Sequence, residues 1–310
     1  MSTWSGHSLP ALPWTPNSTA IAAVVSCAAS CRVALPISQT DGAPKGDVLN
    51  SLRRDAVREE FGWSWAAYEE HAWGRDEYLP ISQSGHDWVG GGIGLTILDS
   101  IDTLHLLGFD AELQRATEWV ETSLSFDRGS PVSTFELSIR GLGGLLSAHA
   151  MTGREIFAKR ALQLGKRLLG AFETPSGLPT TKVDLRAGAV QDLEPFVLAE
   201  MGTLSLEFTH LSAISGDPRF RRAVERVSMH LARQAHHSQP NAHLLPIYLD
   251  GDGDALNWFG QPMSKVSLGA GGDSYYEYLL KSWLQSNRTD ERQWKRYEGA
   301  VEAIRRRLLR

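Results

Sequence analysis

Apolar residues recur at intervals of three and four along most of the chain, which is the spacing of amphipathic helices. From Leu52 onward the pattern is mostly helical. A polar stretch over residues 74–92 separates the first predicted helix from a second one over residues 95–107, which Gly108 ends. Residues 1–50 are rich in Ser, Pro, Ala and Thr and show no sustained period, so we interpret them as a tail and linker.

The helical pattern repeats along the chain. Gly108, Gly153 and Gly216 each end one predicted helix, and each is followed by a polar turn and a second helix. This arrangement predicts stacked antiparallel helical hairpins, in an all-α solenoid that curves or closes into a toroid. Strand signals are few, and residues 243–250 are the best candidate, as a short hairpin near a loop.

Glu136 and Arg140 lie within a predicted helix over residues 132–153 whose other positions are mostly apolar. Because they are four positions apart, the two side chains share one face of that helix. Two interpretations stay open at this point. The pair is either an ordinary ion pair on a solvated face, or it lines a cavity enclosed by the helices.

Other acidic residues also lie beside apolar stripes. Glu207 has apolar neighbours on both sides, which disfavours simple exposure, whereas Asp273 follows a Gly-rich turn and suits a helix cap as well as a site. A buried, unpaired carboxylate is costly, so several of them in one helical array favour a functional cavity. The further acids of this kind are Asp76, Glu77, Asp99, Asp102 and Glu277.

Composition narrows the range of functions. With 42% hydrophobic and 22% charged residues the chain is typical of soluble globular proteins, and its net charge of -5 argues against a nucleic-acid partner. Cys27 and Cys31 alone form no disulfide framework. Residues 19–35 are the one candidate targeting segment, as a secretory signal, a weak membrane anchor or simply a disordered tail. Glycosylation sequons occur at Asn17 and Asn287.

Paired carboxylates at a cavity suit the hydrolysis of glycosides. One carboxyl group protonates the leaving oxygen, directly or through a water molecule, and another activates the attacking water. A guanidinium such as that of Arg140 can hold a sugar hydroxyl and keep a neighbouring carboxylate ionised.

Six stretches together resemble the class I α-mannosidases (glycoside hydrolase family 47), which trim α-1,2-linked mannose from N-glycans. They run in the family's order from about residue 55 to residue 310. The stretches are HAWGRDEYLPIS, GLTILDSIDTLHLLG, VSTFELSIRGLGGLLSAHAMTG, AFETPSGLP, AEMGTLSLEFTHLSAISGDPRF and SLGAGGDSYYEYLLKSWLQS.

This resemblance implies an (α/α)7 barrel, incomplete in this chain, together with an inverting mechanism and a bound Ca²⁺. It implies that Glu136 is the general acid, acting through a water molecule, and that Asp273 is another catalytic carboxylate. The implied substrate-binding residues are Arg140, Glu207, Glu277, Gly271, Asp99 and Asp102.

The resemblance also implies a domain division. Residues 1–50 would be an N-terminal tail with a signal or anchor, and residues 51–310 a catalytic domain truncated at its C-terminus. Family members continue beyond the matching stretch, and that continuation holds the proposed general base and the Thr that binds Ca²⁺, so no metal ligand is expected here. Other members carry Leu or Arg at the position of Gly271, so Gly predicts a roomier site with broader branch preference.

The implied function is hydrolysis of terminal α-1,2-linked mannose from high-mannose N-glycans. The expected protein is a monomer of the secretory pathway, either in the Golgi or endoplasmic reticulum membrane or secreted. An alternative is a non-catalytic mannose-binding or vestigial protein of the same fold in glycoprotein quality control. A plain helical-repeat scaffold is a third interpretation, and it leaves the acidic residues unexplained.

Overall fold

The structure is a computed structural model that describes residues 46–88, 91–127, 129–187, 196–237, 243–249 and 265–309. The predicted tail of residues 1–50 and the candidate targeting segment of residues 19–35 therefore lie largely or wholly outside the described residues. Within the described ranges, no helix combines the length and the apolar character needed to cross a membrane.

Helices make up most of the described chain. The α-helices are α1 (Gly46–His71), α2 (Leu95–Leu107), α3 (Asp110–Thr122), α4 (Thr134–Glu136), α5 (Gly143–Thr152), α6 (Glu155–Leu168), α7 (Leu198–Gly202), α8 (Ser205–Ser215), α9 (Pro218–His237), α10 (Asp273–Gln285) and α11 (Glu291–Arg307). A π-helix (Leu137–Leu142) joins α4 to α5, and a 3₁₀ helix (Leu169–Phe172) follows α6.

Three small antiparallel pairs of strands supplement the helices. The strands are β1 (Glu77–Leu79), β2 (Ser84–His86), β3 (Pro131–Ser133), β4 (Lys182–Asp184), β5 (Phe196–Val197) and β6 (Tyr248–Leu249). β1 pairs with β2, β3 with β4 and β5 with β6. The strand predicted in residues 243–250 is thus only two residues long in the described range. Its partner is β5, about fifty residues earlier, and the prediction of a local hairpin was wrong.

The chain divides into two compact units, Met1–Ser64 and Trp65–Arg310. The described part of the first unit is the segment of α1 up to Ser64. The second unit holds the rest of α1 and all other elements, and its buried apolar residues form the core.

The predicted helical hairpins are confirmed. Gly108, Gly153 and Gly216 cap the C-termini of α2, α5 and α8 with φ angles of 71°, 68° and 71°. These are left-handed conformations that glycine adopts without steric strain, so each glycine both ends its helix and turns the chain into the next one.

Close approach of helices depends on two further glycines. A Cβ atom at Gly144 of α5 would overlap the backbone carbonyl of Leu98 in α2. Likewise, a Cβ at Gly165 of α6 would overlap the side chain of Leu211 in α8. The hairpins therefore pack closely through positions that lack side chains, which brings α2 next to the segment that carries Glu136 and Arg140.

Candidate active site

Asp76 organises the loop that precedes α2. Its carboxylate is 3% exposed, and Oδ1 accepts hydrogen bonds from the backbone N–H groups of Ile93 (2.7 Å) and Leu95 (3.1 Å). Oδ2 accepts a third from the backbone N–H of Trp88 (3.0 Å). The N-cap of α2 is Gly94, which has no side chain to satisfy the first N–H groups of the helix, so Asp76 does this from outside the helix.

The same loop presents an aromatic ring. Trp88 is 45% exposed, and its indole N–H donates to Glu77 Oε2 at 2.9 Å. The guanidinium carbon of Arg140 lies 5.9 Å from the ring centroid, within range of a cation–π contact. Trp88 therefore forms an exposed aromatic surface beside Arg140, and sequence reasoning did not single it out.

Glu136 lies where α4 passes into the π-helix. Ser133 caps this start, because its Oγ accepts a hydrogen bond from the Glu136 N–H at 3.1 Å. The continuous helix predicted over residues 132–153 is therefore interrupted by β3 at its start and by one π-helical stretch. Such π-helical insertions occur frequently at functional sites, because they turn side chains out of the regular helical register.

Arg140 joins two carboxylates. Its Nε donates to Glu136 Oε2 at 2.6 Å, and its Nη1 donates to Asp99 Oδ2 of α2 at 3.1 Å. Burial alone would lower the pKa of Arg140, but hydrogen bonds to Glu136 and Asp99 outweigh it, so the pKa is raised. The side chains of Glu136 and Arg140 are 30% and 39% exposed. The ion pair of Glu136 and Arg140 is thus neither fully solvated nor fully buried, and Asp99 is a second carboxylate bound by Arg140.

Glu200 of α7 belongs to the same region, although sequence reasoning missed it. Burial raises its pKa, and the negative charge of Glu136 raises it further. Glu200 also lines a small cavity with Thr134 of α4, whose buried hydroxyl has no hydrogen-bond partner among the described residues. A signal for Glu200 was present in the sequence, because this residue lies seven positions before Glu207. Seven residues make about two turns of an unbroken α-helix, so this spacing would place the two carboxyl groups on the same face.

Glu207 is a second, more deeply buried carboxyl group. Its Oε1 accepts a hydrogen bond from the Tyr278 hydroxyl at 2.8 Å, which links α8 to α10. Its Oε2 is buried without a hydrogen-bond partner among the described residues. Burial raises the pKa of Glu207, and the hydrogen bond from Tyr278 and the charge of Lys281 only partly offset this effect.

We predict that Glu207→Gln stabilises the protein at neutral pH. A carboxyl group whose pKa is raised on folding favours the folded state at acidic pH, and this contribution is lost as the pH rises through the folded-state pKa. The variant should match the wild type at about pH 4, near the ordinary carboxyl pKa, and exceed it at pH 7 by about 1 kcal/mol in free energy of unfolding. Urea unfolding at both pH values measures this.

Glu277→Gln is the matched control for this prediction. Glu277 lies on α10 as an exposed residue, and its carboxylate pairs with Lys281 at 2.9 Å. This variant should show no gain in stability between the two pH values. A Glu207→Gln variant that is less stable than the wild type at pH 7 would contradict the assignment of a costly buried charge.

The structure places Asp273 in the first turn of α10 rather than at its cap. The N-cap is Gly272, and Asp273 Oδ1 accepts a hydrogen bond from the adjacent Ser274 N–H at 2.8 Å. The prediction that Asp273 is the N-cap was therefore wrong by one residue. Among the described residues, no hydrogen bond or ion pair connects Asp273 or Glu277 with Arg140.

Gly271 has a local structural reason to be glycine. Its φ angle is +86°, and a Cβ atom there would lie 2.6 Å from Cγ2 of Ile247. Its carbonyl also accepts a hydrogen bond from the Ala199 N–H at 2.9 Å. A substitution such as Gly271→Arg would therefore strain the backbone and displace Ile247, in addition to any effect on ligand preference.

Asp102 lies one helical turn beyond Asp99 on α2, and its contacts differ. Asp102 Oδ2 accepts a hydrogen bond from the Ser147 hydroxyl at 2.7 Å, which ties α2 to α5. In this structure the carboxylate thus connects two helices and does not join the pair of carboxylates bound by Arg140.

The described residues do not fit a metal centre by themselves. Within the described ranges, no three His, Cys, Asp or Glu side chains converge in a way that could hold a metal ion. Arg140 binds one oxygen of Glu136 and one of Asp99, and its single positive charge offsets one of these two carboxylates. No chemical step is therefore assigned to Ca²⁺.

Comparisons with known proteins agree with this geometry. Residues 60–310 match the model of glycosyl hydrolase family 47. A mannosyl-oligosaccharide 1,2-alpha-mannosidase of Arabidopsis thaliana is 40% identical over 259 residues, covering 82% of this chain and 44% of the relative. The human endoplasmic reticulum mannosyl-oligosaccharide 1,2-alpha-mannosidase is 36% identical over 279 residues, covering 89% of this chain and 38% of the relative.

A solved structure supports the fold. The alpha-1,2-mannosidase from Trichoderma reesei superposes with a TM-score of 0.73 at 26% identity, covering 85% of this chain and 55% of that structure. The predicted all-α fold class, the (α/α)7 barrel, is confirmed over the part that the chain covers. The chain spans less than half the length of the curated relatives described above. With its matched residues, its helical hairpins and its superposition, the chain belongs to glycosyl hydrolase family 47.

Proposed function

We propose that the protein carrying this chain hydrolyses terminal α-1,2-linked mannose from high-mannose N-glycans. The names of its relatives support this reaction. The observation that carries the proposal is the pair of carboxyl groups of Glu136 and Glu200, which have different surroundings. Glu136 is bound by a guanidinium, whereas burial raises the pKa of Glu200. Glycosidases use such differences to give two carboxyl groups different tasks.

Glu136 is the proposed general acid. Arg140 occupies its Oε2, and among the described residues no donor binds Oε1. Oε1 is therefore the oxygen that can hold a water molecule and pass a proton through it to the leaving oxygen. Arg140 orients the carboxylate through its hydrogen bond to Oε2. A general acid gives up a proton in each catalytic cycle and must take one up again, and the Glu200 carboxyl group is a candidate to hold that proton.

The remaining residues are assigned to binding and to a second catalytic carboxylate. Asp273 takes the latter role in the proposal, because its exposed carboxylate at the start of α10 is free to contact a substrate or water. The residues proposed to form the mannose-binding site are Arg140, Glu207, Glu277, Gly271, Asp99 and Asp102. Asp102 is already bound by Ser147, so its contribution would be the positioning of α2.

Calcium dependence enters the proposal only through the family. Among the described residues, no three His, Cys, Asp or Glu side chains come together as ligands for the ion. Removal of divalent cations with a chelator, followed by a mannose-release assay, tests the dependence directly.

The cellular setting is inferred from the relatives. A human relative's name places that protein in the endoplasmic reticulum, and we infer that this protein acts in the secretory pathway, in the Golgi or endoplasmic reticulum membrane or after secretion. We expect a monomer that contacts glycoproteins through their N-glycans. A membrane anchor in residues 19–35 stays a prediction.

The test of the proposed function is mannose release from a high-mannose N-glycan by the whole protein that carries this chain. An α-1,2-mannosidase releases free mannose, and Glu136→Ala or Asp273→Ala removes turnover. A mannose-binding protein without activity retains the glycan but releases nothing, and the same variants weaken retention. Neither release nor retention by the wild type would leave only the scaffold interpretation.

We predict that Trp88→Ala raises the KM for the glycan about tenfold with a smaller change in kcat. Loss of an exposed ring beside Arg140 removes stacking area for a sugar, worth about 1 kcal/mol or somewhat more. Steady-state kinetics measure the split between KM and kcat. Trp63→Ala, another exposed tryptophan, is the matched control and should leave both constants unchanged. Equal KM values for Trp88→Ala and the wild type would exclude Trp88 as a substrate contact.

A further inference from the structure

Residues of the helices α8, α9, α10 and α11 line a cavity of about 310 Å³. Its volume is at the lower end of the range for small-molecule sites. Its lining shares no residue with the carboxylate pair held by Arg140. The proposed glycan chemistry leaves this cavity without a role.

The carboxylates of the cavity are already engaged. Glu225 accepts a hydrogen bond from Arg221 at 2.7 Å, four residues earlier on α9. Asp290 lies 3.6 Å from Arg292 and also caps the N-terminus of α11. These four charges cancel in pairs, so Arg296, the remaining charged side chain of the lining, leaves one positive charge uncompensated.

Arg296 points its guanidinium into this cavity with few partners. Its Nη1 donates to Ser228 Oγ at 2.6 Å and, at 3.4 Å, to Gln293 Oε1. Across the described ranges, its Nε and Nη2 make no hydrogen bond and no carboxylate pairs with it. Burial lowers the pKa of Arg296 and the charge of Arg292 also lowers it, while Tyr275 and the charge of Asp290 offset only part of this effect.

Hydroxyl groups complete the lining. The hydroxyls of Ser205 on α8 and Ser282 on α10 are joined by one hydrogen bond of 2.9 Å, which links the two helices. Thr209 and Ser286 add two further hydroxyls. Hydroxyl groups can donate to an anion once a guanidinium has fixed its position, and planar guanidinium groups bind carboxylate and phosphate oxygens in pairs.

We infer that this cavity binds a small oxyanion, a carboxylate or phosphate group, with the Arg296 guanidinium as its anchor. The ligand would accept hydrogen bonds from Nε and Nη2 of Arg296 and from one hydroxyl of the Ser205 and Ser282 pair, since the other hydroxyl donates within the pair. It would connect the hairpin of α8 and α9 with that of α10 and α11, and so stabilise their packing.

The test is isothermal titration calorimetry on the whole protein that carries this chain, at constant ionic strength. Sodium phosphate and sodium malonate are titrated separately, so that the two arms distinguish a phosphate from a carboxylate site. We expect saturable binding of one of them at a single site. Arg296→Gln should weaken it about tenfold or more, since a charge-assisted hydrogen bond is lost.

Arg305→Gln is the matched control, because it removes the same charge from an exposed position on the same helix. It should change the affinity less than twofold. The bound anion should also raise the Tm of the wild type and of Arg305→Gln but not that of Arg296→Gln. Arg296→Lys keeps the charge without the planar fork and should bind several-fold more weakly than the wild type. The inference is overturned if neither anion binds saturably, or if Arg296→Gln and Arg296→Lys both bind as tightly as the wild type.

Discussion

Glu136→Gln should lower kcat for mannose release by about 10² to 10⁴, because loss of a general acid has an effect of this size. Glutamine keeps the shape of the side chain and can still accept the hydrogen bond from Arg140, which the wild type makes at 2.6 Å. It cannot give up a proton to the water that protonates the leaving oxygen. Binding of the glycan should therefore survive while turnover is lost.

Two measurements separate this result from simple misfolding. Single-turnover kinetics give the rate of the chemical step, and calorimetry gives the affinity for the glycan. Glu155→Gln is the matched control, since the side chain of Glu155 is 91% exposed, and it should act like the wild type. Unchanged mannose release by Glu136→Gln would refute the role of Glu136 as general acid.

Asp76→Ala should lower the free energy of unfolding by about 3 to 5 kcal/mol. Each buried donor left without an acceptor costs about 1 to 3 kcal/mol, and this substitution orphans the N–H groups of Trp88, Ile93 and Leu95. The loop and the start of α2 should loosen together. Because α2 carries Asp99 and the loop carries Trp88, kcat/KM should fall as well.

Denaturant unfolding of the whole protein measures the loss of stability. Asp76→Asn keeps one acceptor oxygen and should lose less than Asp76→Ala. Asp110→Ala is the control, because Asp110 is exposed in the first turn of α3 and should cost no more than about 1 kcal/mol. If Asp76→Ala is as stable as Asp110→Ala, the three hydrogen bonds do not hold the loop.

The sequence pattern predicted those structural features that depend on residues close together in the chain. The glycines at 108, 153 and 216 predicted the ends of three helices, since a left-handed cap depends on one residue and its neighbours. The spacing of Glu136 and Arg140 predicted that the two side chains share one helix face, where the structure shows them as an ion pair. A strand is present within residues 243–250 as predicted, but the predicted local hairpin was wrong, because the partner of a strand depends on contacts far away in the chain.

The sequence by itself therefore determined the helical hairpins, the family and the shared helix face of Glu136 and Arg140. Only the tertiary structure decided which distant groups join them. Asp99 reaches Arg140 across 41 residues, and Glu207 reaches Tyr278 across 71. The charge of Glu136 likewise raises the pKa of Glu200, which lies on a different helix. Burial and long-range approach depend on how whole helices pack, and helical periodicity specifies only the face that each helix presents.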